Sequence, residues 1–187
     1  MLGFYSEEEL KKIGFKHIGV NVKISDKSSI YFPETISIGN NVRIDDFCIL
    51  TGGTSGINIG SYIHIAAFSA IFGSGGGVTL KDFSCLSSRV TLYSLSDDYS
   101  GHSLTNPTVP KEFLGVEKGH ILIEKHVVIG TNSTVLPGVT IGEGSAIGAH
   151  SLVKESLDPW GIYAGTPVRK IKNRKKEILR LEKELKQ

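Results

Sequence analysis

The sequence predicts an all-β fold, a parallel β-helix, and three observations carry that expectation. Aliphatic residues recur at every sixth position: Ile123, Ile129, Val135, Ile141, Ile147 and Val153 each open a six-residue unit. Glycine follows the aliphatic residue three times, at Gly130, Gly142 and Gly148. The fifth place holds Val127, Ser133, Val139, Ser145 and Ser151, all small or β-branched. A helix repeats its face about every 3.6 residues and a strand every second residue, so neither produces this period. A triangular coil with one unit on each flat side does produce it. First and fifth side chains then point inward and stack on those of the next coil. The second place is expected to turn the corner, where glycine tolerates unusual backbone angles.

Taken in order, the chain opens with Ser6 followed by Glu9, the form of a capping box, which predicts a short helix from Ser6 to Ile13. The repeat then starts early. Ile18, Ile24 and Ile30 make one coil; Ile38, Ile44 and Leu50 the next; Ile59, Ile65 and Ile71 a third; Leu80, Leu86 and Leu92 a fourth. Ile123 to Val135 and Ile141 to Val153 complete the set. Their fifth places read Val22, Ser28, Glu34; Val42, Cys48, Thr54; Ile63, Ser69, Gly75; Ser84, Val90, Ser96, with Glu34 and Gly75 the misfits. Extra residues follow Ile30, Leu50, Ile71 and Leu92, after every third unit, so triangular geometry places all four insertions at one corner. Three are small. The fourth, residues 97–120, is a long excursion, and long loops on rigid scaffolds carry function. The expected organisation is a lead-in over residues 1–17, the β-helix over 18–158 and a C-terminal turn and helix over 159–187. Asp158-Pro159 and Gly165-Thr166-Pro167 are turn signals. A charged helix is expected from Lys170, with Ile171, Ile178, Leu181 and Leu185 on one stripe against the β-helix end or a neighbouring subunit.

Composition narrows the function. The net charge is +2 and the basic residues gather in the tail, which disfavours nucleic acid as a partner. Cys48 and Cys85 have neither metal nor disulfide spacing, pointing to a reduced, cytoplasmic compartment. The start, MLGFYSEEELKK, lacks a basic region followed by an apolar run, so neither a signal peptide nor a membrane span is expected.

The run VVIGTNSTVLPGVTIGEGSAIGAHSLV, with the later GIYAGTPVRKI, resembles the left-handed β-helix acyltransferases. It is most similar to the sugar O- and N-acetyltransferases, including those serving O-antigen, lipopolysaccharide or capsule biosynthesis. The resemblance spans Ile18 to Ile171 and implies left-handed coils. It also implies a homotrimer with a cleft between neighbouring prisms, acetyl-CoA as co-substrate, no metal, and a sugar or nucleotide sugar as acceptor. Backbone at Gly130, Thr131, Gly148 and Ala149 would border the pantetheine. Arg169, matching the family's terminal arginine, and Lys170 would meet the CoA phosphates, within a cluster that includes Lys172 and Arg174.

The resemblance leaves the base open. Where relatives carry a histidine before the long loop, this chain has Asp97, and Ala66 replaces a familiar asparagine. Three readings follow. Asp97 or Asp98 is the base; His64 or His102 supplies an imidazole from elsewhere; or the acceptor is an amine, which needs no strong base. Tyr93, Tyr99 and Asn106 are candidates to bind the sugar. His17, His120, His126 and His150 are discounted, His126 and His150 being expected to point outward on different faces. Two alternatives stand beside the enzyme reading: a non-catalytic β-helix scaffold, and a metalloenzyme similar to the γ-class carbonic anhydrases built on His120 and His126.

Overall fold

The computed structural model describes residues 3–186. Met1 and Leu2 of the expected lead-in and Gln187 of the expected tail lie outside them. The chain forms a left-handed parallel β-helix of about seven turns. On the first face Ile18, Ile38, Ile59, Leu80, Ile123 and Ile141 stand in parallel register. On the second face Ile24, Ile44, Ile65, Leu86, Ile129 and Ile147 do the same. On the third face Ile30, Leu50, Ile71, Leu92, Val135 and Val153 align. The coils therefore fall where the six-residue period puts them. Ile24, Ile44, Ile65 and Leu86 are 0% exposed. Burying each such side chain contributes about 1.5–3 kcal/mol against an extended unfolded chain, an upper bound.

The serines and cysteine at the fifth place resolve the question of polar groups in this core. Ser28 Oγ donates to the Asp45 carbonyl (3.0 Å), Cys48 Sγ to Ala66 (3.3 Å), Ser69 Oγ to Ser87 (3.0 Å) and Ser133 Oγ to Gly148 (3.1 Å). Each satisfies a corner carbonyl one coil onward, so a small hydroxyl there is both compact and paired; Ser84 Oγ, in the same place, is buried without a hydrogen-bond partner among the described residues. Glu34, Thr54, Gly75 and Ser96 do not fill the inward places assigned to them. Their units are interrupted, and Ile36, Ile57, Val78 and Ile121, all 0% exposed, point inward instead. Each stands two residues before the next coil's first aliphatic residue, where the resumed strand begins.

The corners also differ from expectation. The left-handed backbone sits at the fourth place, not the second: Asn41, Tyr62, Phe83 and His126 at one corner and Phe47, Phe68, Arg89, Asn132 and His150 at another have φ of 55–64°. Bulky residues there cost about 1–3 kcal/mol each. Corner hydrogen bonds between coils offset this, as when Phe83 N donates to the Ser61 carbonyl (3.0 Å) and Asn132 N to Ser88 (3.1 Å). Glycine at the second place serves close approach. A Cβ on Gly130 would lie 2.6 Å from Ala149 N, and one on Gly39 2.7 Å from the Gly60 carbonyl oxygen.

Helix α1 (Glu7–Ile13) has Ser6 as its N-cap with both halves of the capping box formed, and Leu10 is buried against the first coils. The C-terminal helix starts later than expected. Val168–Asn173 is a strand, antiparallel to Gly161–Gly165, which itself extends the second face below Ile147 through Tyr163. Ile171 lies on that strand and is 63% exposed, outside any helical stripe. Helix α2 (Ile178–Leu185) follows and lies on the second face. Ile178, Leu181 and Leu185 line a small space of about 370 Å³ with Phe83, Cys85 and Val128. Glu182 anchors the helix to Lys125 Nζ (2.7 Å) and His126 Nε2 (2.8 Å). His126 points outward as its place requires, yet α2 covers it and leaves it 7% exposed. Among the described residues no helix is long and apolar enough to cross a membrane.

Candidate active site

The four insertions share the corner between the third and first faces, and the fourth leaves it as a two-stranded antiparallel ribbon. Leu95 pairs with Lys118, Ser96 with Glu117 and Asp97 with Val116. Residues beyond the ribbon fold back over the third face and enclose a cleft of about 1010 Å³. Its floor is the outward side of the column: Phe72, Tyr93, Leu136, Leu152 and Lys154. The rings of Phe72 and Tyr93, from successive coils, stack with centroids 5.0 Å apart and planes 11° apart. Its roof includes Leu95, Asp97, Tyr99, Asn106, Leu114 and Glu117.

Four of the sequence-derived candidates meet in this cleft: Tyr93, Asp97, Tyr99 and Asn106. Asp98 does not join them. Its Oδ1 accepts from Ser100 N (2.7 Å), and its Oδ2 accepts from Ser103 N (3.0 Å) and Ser103 Oγ (2.8 Å). Hydrogen bonds from Ser100 and then Ser103 hold its pKa far below the usual carboxylate value, so Asp98 is a loop anchor and a poor base. Asn106 is partly engaged as well, its Oδ1 accepting from Thr108 N (3.0 Å) and Thr108 Oγ1 (2.6 Å).

His64 faces outward as expected, but on the second face, paired in register with Cys85. It is not among the residues lining the cleft. Its Nε2 lies 2.7 Å from Asp45 Oδ2, and Arg43 Nε donates to Asp45 Oδ1 (2.6 Å). Partial burial opposes ionisation of Asp45, but the hydrogen bonds from Arg43 and His64 outweigh it and hold its pKa below the ordinary value. His102 remains in the excursion, its Nδ1 2.6 Å from Ser100 Oγ.

The expected cofactor-binding residues form a strip along the corner between the second and third faces. Gly130 packs on Gly148 and Ala149, and Gly148 on Ala164, which is the cross-strand partner of Arg169. Thr131 belongs to the strip, its Oγ1 donating to the Ser88 carbonyl (2.6 Å). Arg169, Lys170 and Lys172 are exposed and form no ion pair among the described residues. Such free cations suit a polyphosphate. Arg174 leaves this cluster. It donates to the carbonyls of His126 (2.8 Å), Gly144 (3.1 Å) and Ser145 (3.3 Å), and its burial lowers its pKa. Among the described residues no group of three His, Cys, Asp or Glu side chains is placed to hold a metal ion.

Sequence reasoning missed Phe72, Glu117, Leu136 and Lys154 as cleft residues. Three of them were within reach of the register. Phe72, Leu136 and Lys154 each follow the inward residue of a coil's third unit, as Tyr93 does, so all four lie in one outward column. Glu117 carried no such signal.

Comparison with known proteins places this architecture. Residues 120–155 match the family described as bacterial transferase hexapeptide (six repeats). A dTDP-4-amino-4,6-dideoxy-D-glucose acyltransferase of Escherichia coli is 49% identical over 181 residues, covering 97% of this chain and 94% of its own length. The N-acyltransferase AntD of Bacillus cereus has been solved as a serine variant with dTDP-4-amino-4,6-dideoxyglucose and coenzyme A. That structure is 55% identical, with a TM-score of 0.96, covering 99% of this chain and 97% of its own. Another AntD structure, with dTDP and 3-hydroxybutyryl-CoA, is 56% identical with a TM-score of 0.96, covering 99% and 97%. The chain belongs to the hexapeptide-repeat acyltransferases.

Proposed function

We propose that this acyltransferase moves an acetyl or similarly short acyl group from its CoA thioester to the amine of a nucleotide-linked amino sugar, with Asp97 holding that amine. One observation carries the reading. Among the described residues the cleft is lined by two carboxylates, Asp97 and Glu117, and by no histidine. A hydroxyl acceptor needs a base strong enough to take its proton as it attacks, whereas an uncharged amine is already nucleophilic. Positioning then supplies most of what the site must do. Asp97 accepts a hydrogen bond from the amine, aims its lone pair and helps it shed a proton. The new bond is carbon to nitrogen, the bond broken is carbon to sulfur, and the departing sulfur ends as a thiol with the amine's proton. The names of the relatives point to the same acceptor class, a dTDP-4-amino-4,6-dideoxy sugar.

Coenzyme A supplies the activated acyl group. On this reading Gly130, Thr131, Gly148 and Ala149 border its pantetheine arm, and the unpaired Arg169 and Lys170 meet its phosphates. Tyr93, Tyr99 and Asn106 bound the sugar. The protein works as a homotrimer. Support comes from the apolar side chains exposed along the column, among them Tyr31, Phe47, Phe68 and Ile49 at 54%, 50%, 50% and 37%. Its setting is the cytoplasm, where acyl-CoA and nucleotide sugars are made. Its amide sugar feeds a surface polysaccharide, a role in keeping with a relative, 29% identical over 163 residues, named as a putative lipopolysaccharide biosynthesis O-acetyl transferase.

The test is thiol release from acetyl-CoA by purified protein, with dTDP-4-amino-4,6-dideoxyglucose and its 4-hydroxy counterpart as competing acceptors. The expected outcome is turnover with the amine alone. Equal rates with the hydroxyl sugar, or none with either, defeat the proposal.

A further inference from the structure

Asp97 has apolar neighbours on its own face of the ribbon. In an antiparallel pair, residues directly across from each other share a face, and so do residues two apart on one strand. Asp97 is paired with Val116, and Leu95 stands two residues before Asp97, so these three side chains lie on one face. Ser96 and Glu117, a cross-strand pair, lie on the other. Asp98 N donates to the Gly115 carbonyl (3.0 Å) and Gly119 N to the Ser94 carbonyl (3.1 Å). Those two bonds set the alternation along the ribbon and make Asp97–Val116 a non-hydrogen-bonded pair, the kind in which side chains approach most closely. Leu95, Asp97 and Val116 all line the cleft and are half-buried. Lys118, across from Leu95, is exposed, is not among the lining residues and forms no ion pair with Asp97 among the described residues. The Asp97 carboxylate therefore enters the cleft directly beside a branched aliphatic side chain, with a second apolar group next along its own strand.

A 4-amino-4,6-dideoxy sugar presents the same pattern. The ring carbon next to the one bearing the amine carries a methyl group, so whatever grips the amine has that methyl for a neighbour. We infer that Val116, flanked by Leu95, seats this methyl and makes the protein select 6-deoxy over 6-hydroxy amino sugars. The inference rests on the acceptor class proposed above and on Asp97 as the group that holds the amine. It adds a specificity-determining residue that touches no reacting atom. A 6-hydroxyl in the methyl's place would leave water for a surface where the side chains of Val116 and Leu95 offer it no hydrogen bond, and an unpaired hydroxyl is costly to bury. The methyl group loses nothing by the same transfer and gains apolar contact.

The test is a ratio of kcat/KM values for acetyl transfer, dTDP-4-amino-4,6-dideoxyglucose over dTDP-4-amino-4-deoxyglucose, two acceptors that differ only in the 6-hydroxyl. Three proteins are compared. Wild type is expected to favour the 6-deoxy sugar roughly tenfold to a hundredfold. Val116→Thr keeps the branched shape and adds a hydroxyl that can pair with the 6-hydroxyl, so the ratio is expected to fall roughly tenfold. Lowered stability alone reduces both rates together and leaves the ratio where it was. Val109→Thr makes the same chemical change in the excursion at a residue that does not line the cleft, and it is expected to keep the wild-type ratio. A wild type without preference, a ratio unchanged in Val116→Thr, or an equal fall in Val109→Thr overturns the assignment. A wild type that acylates neither amine removes the acceptor class itself, and the competition between amine and hydroxyl sugars described above detects that failure separately.

Discussion

The column and the excursion are built on opposite terms. In the column a residue's place in its unit decides its fate. Most first-place aliphatics are buried, fifth-place serines such as Ser28, Ser69, Ser133 and Ser145 donate to the next corner, and second-place glycines sit where successive coils touch. In residues 95–120 no side chain is buried. That segment is held by side chains bonding nearby backbone: Asp98 to Ser100 and Ser103, and Asn106 to Thr108. The difference separates stability from chemistry. A group sealed into the column cannot meet a substrate, and a segment that makes no core contact can keep Asp97 and Glu117 unpaired at low cost. The cleft accordingly forms where the excursion meets the outward side of the column.

The largest effect should come from cutting into the column. Ile65 is 0% exposed between Ile44 and Leu86. Replacing it with alanine removes buried methyl groups and leaves a cavity that the rigid neighbouring coils cannot fill. Ile65→Ala is expected to cost about 2–5 kcal/mol in denaturant unfolding, while turnover per folded molecule stays at the wild-type level. If the cost fell below that of Leu114→Ala in the excursion, the division between the two regions would be wrong.

The converse change is Asp97→Asn. It keeps shape and removes the charge proposed above to hold the amine, so kcat/KM should fall roughly a hundredfold with the thermal midpoint unmoved. A lowered midpoint with proportionate loss of activity would instead put Asp97 among the residues that hold the loop, alongside Asp98.

The two regions were also unequally legible. Every coil from Ile18 to Val153 could be placed from spacing alone, because stacking demands an aliphatic residue at a fixed interval and little else satisfies that demand. The errors in the column fell where two constraints competed. Glu34 and Gly75 kept the count but not the strand, since each insertion ends by restarting the strand at Ile36 or Val78. Lys170 to Asn173 had the charge of a solvated helix, yet pairing with Gly161–Gly165 extends the second face and wins over local propensity. In the excursion, spacing marked Asp97 and Asp98 alike as candidates. What separates them is two serines, two and five residues after Asp98, which bond one carboxylate and leave the other free. His64 illustrates a related limit: an outward place does not say which face carries the cleft, and His64 stands on the second face, away from it. Glu117 reaches the cleft through the antiparallel ribbon, whose register depends on how a long loop closes rather than on any period.

The smallest effect concerns a third region, helix α2, which belongs to neither class. It docks on the column through polar contacts as much as apolar ones. The Glu182 side chain is 9% exposed and faces Lys125, Lys186 and His126, while Phe83 stacks on His126 (5.3 Å) and lies beneath the Lys125 and Lys186 ammonium groups. Hydrogen bonds from Lys125, then Lys186, with His126 contributing less, pull the Glu182 pKa down from 4.5 to about 2. A carboxylate whose folded pKa lies below its unfolded one adds stability that is complete above the unfolded value and lost as pH falls through the folded one. The difference in thermal midpoint between wild type and Glu182→Gln should thus be constant above about pH 5, shrink between pH 4.5 and 2, and close near pH 2. A gap that stays constant down to pH 2 would mean that α2 is held by Ile178, Leu181 and Leu185 alone. Its seat would then belong with the column's apolar packing rather than with the charged contacts that order the surface.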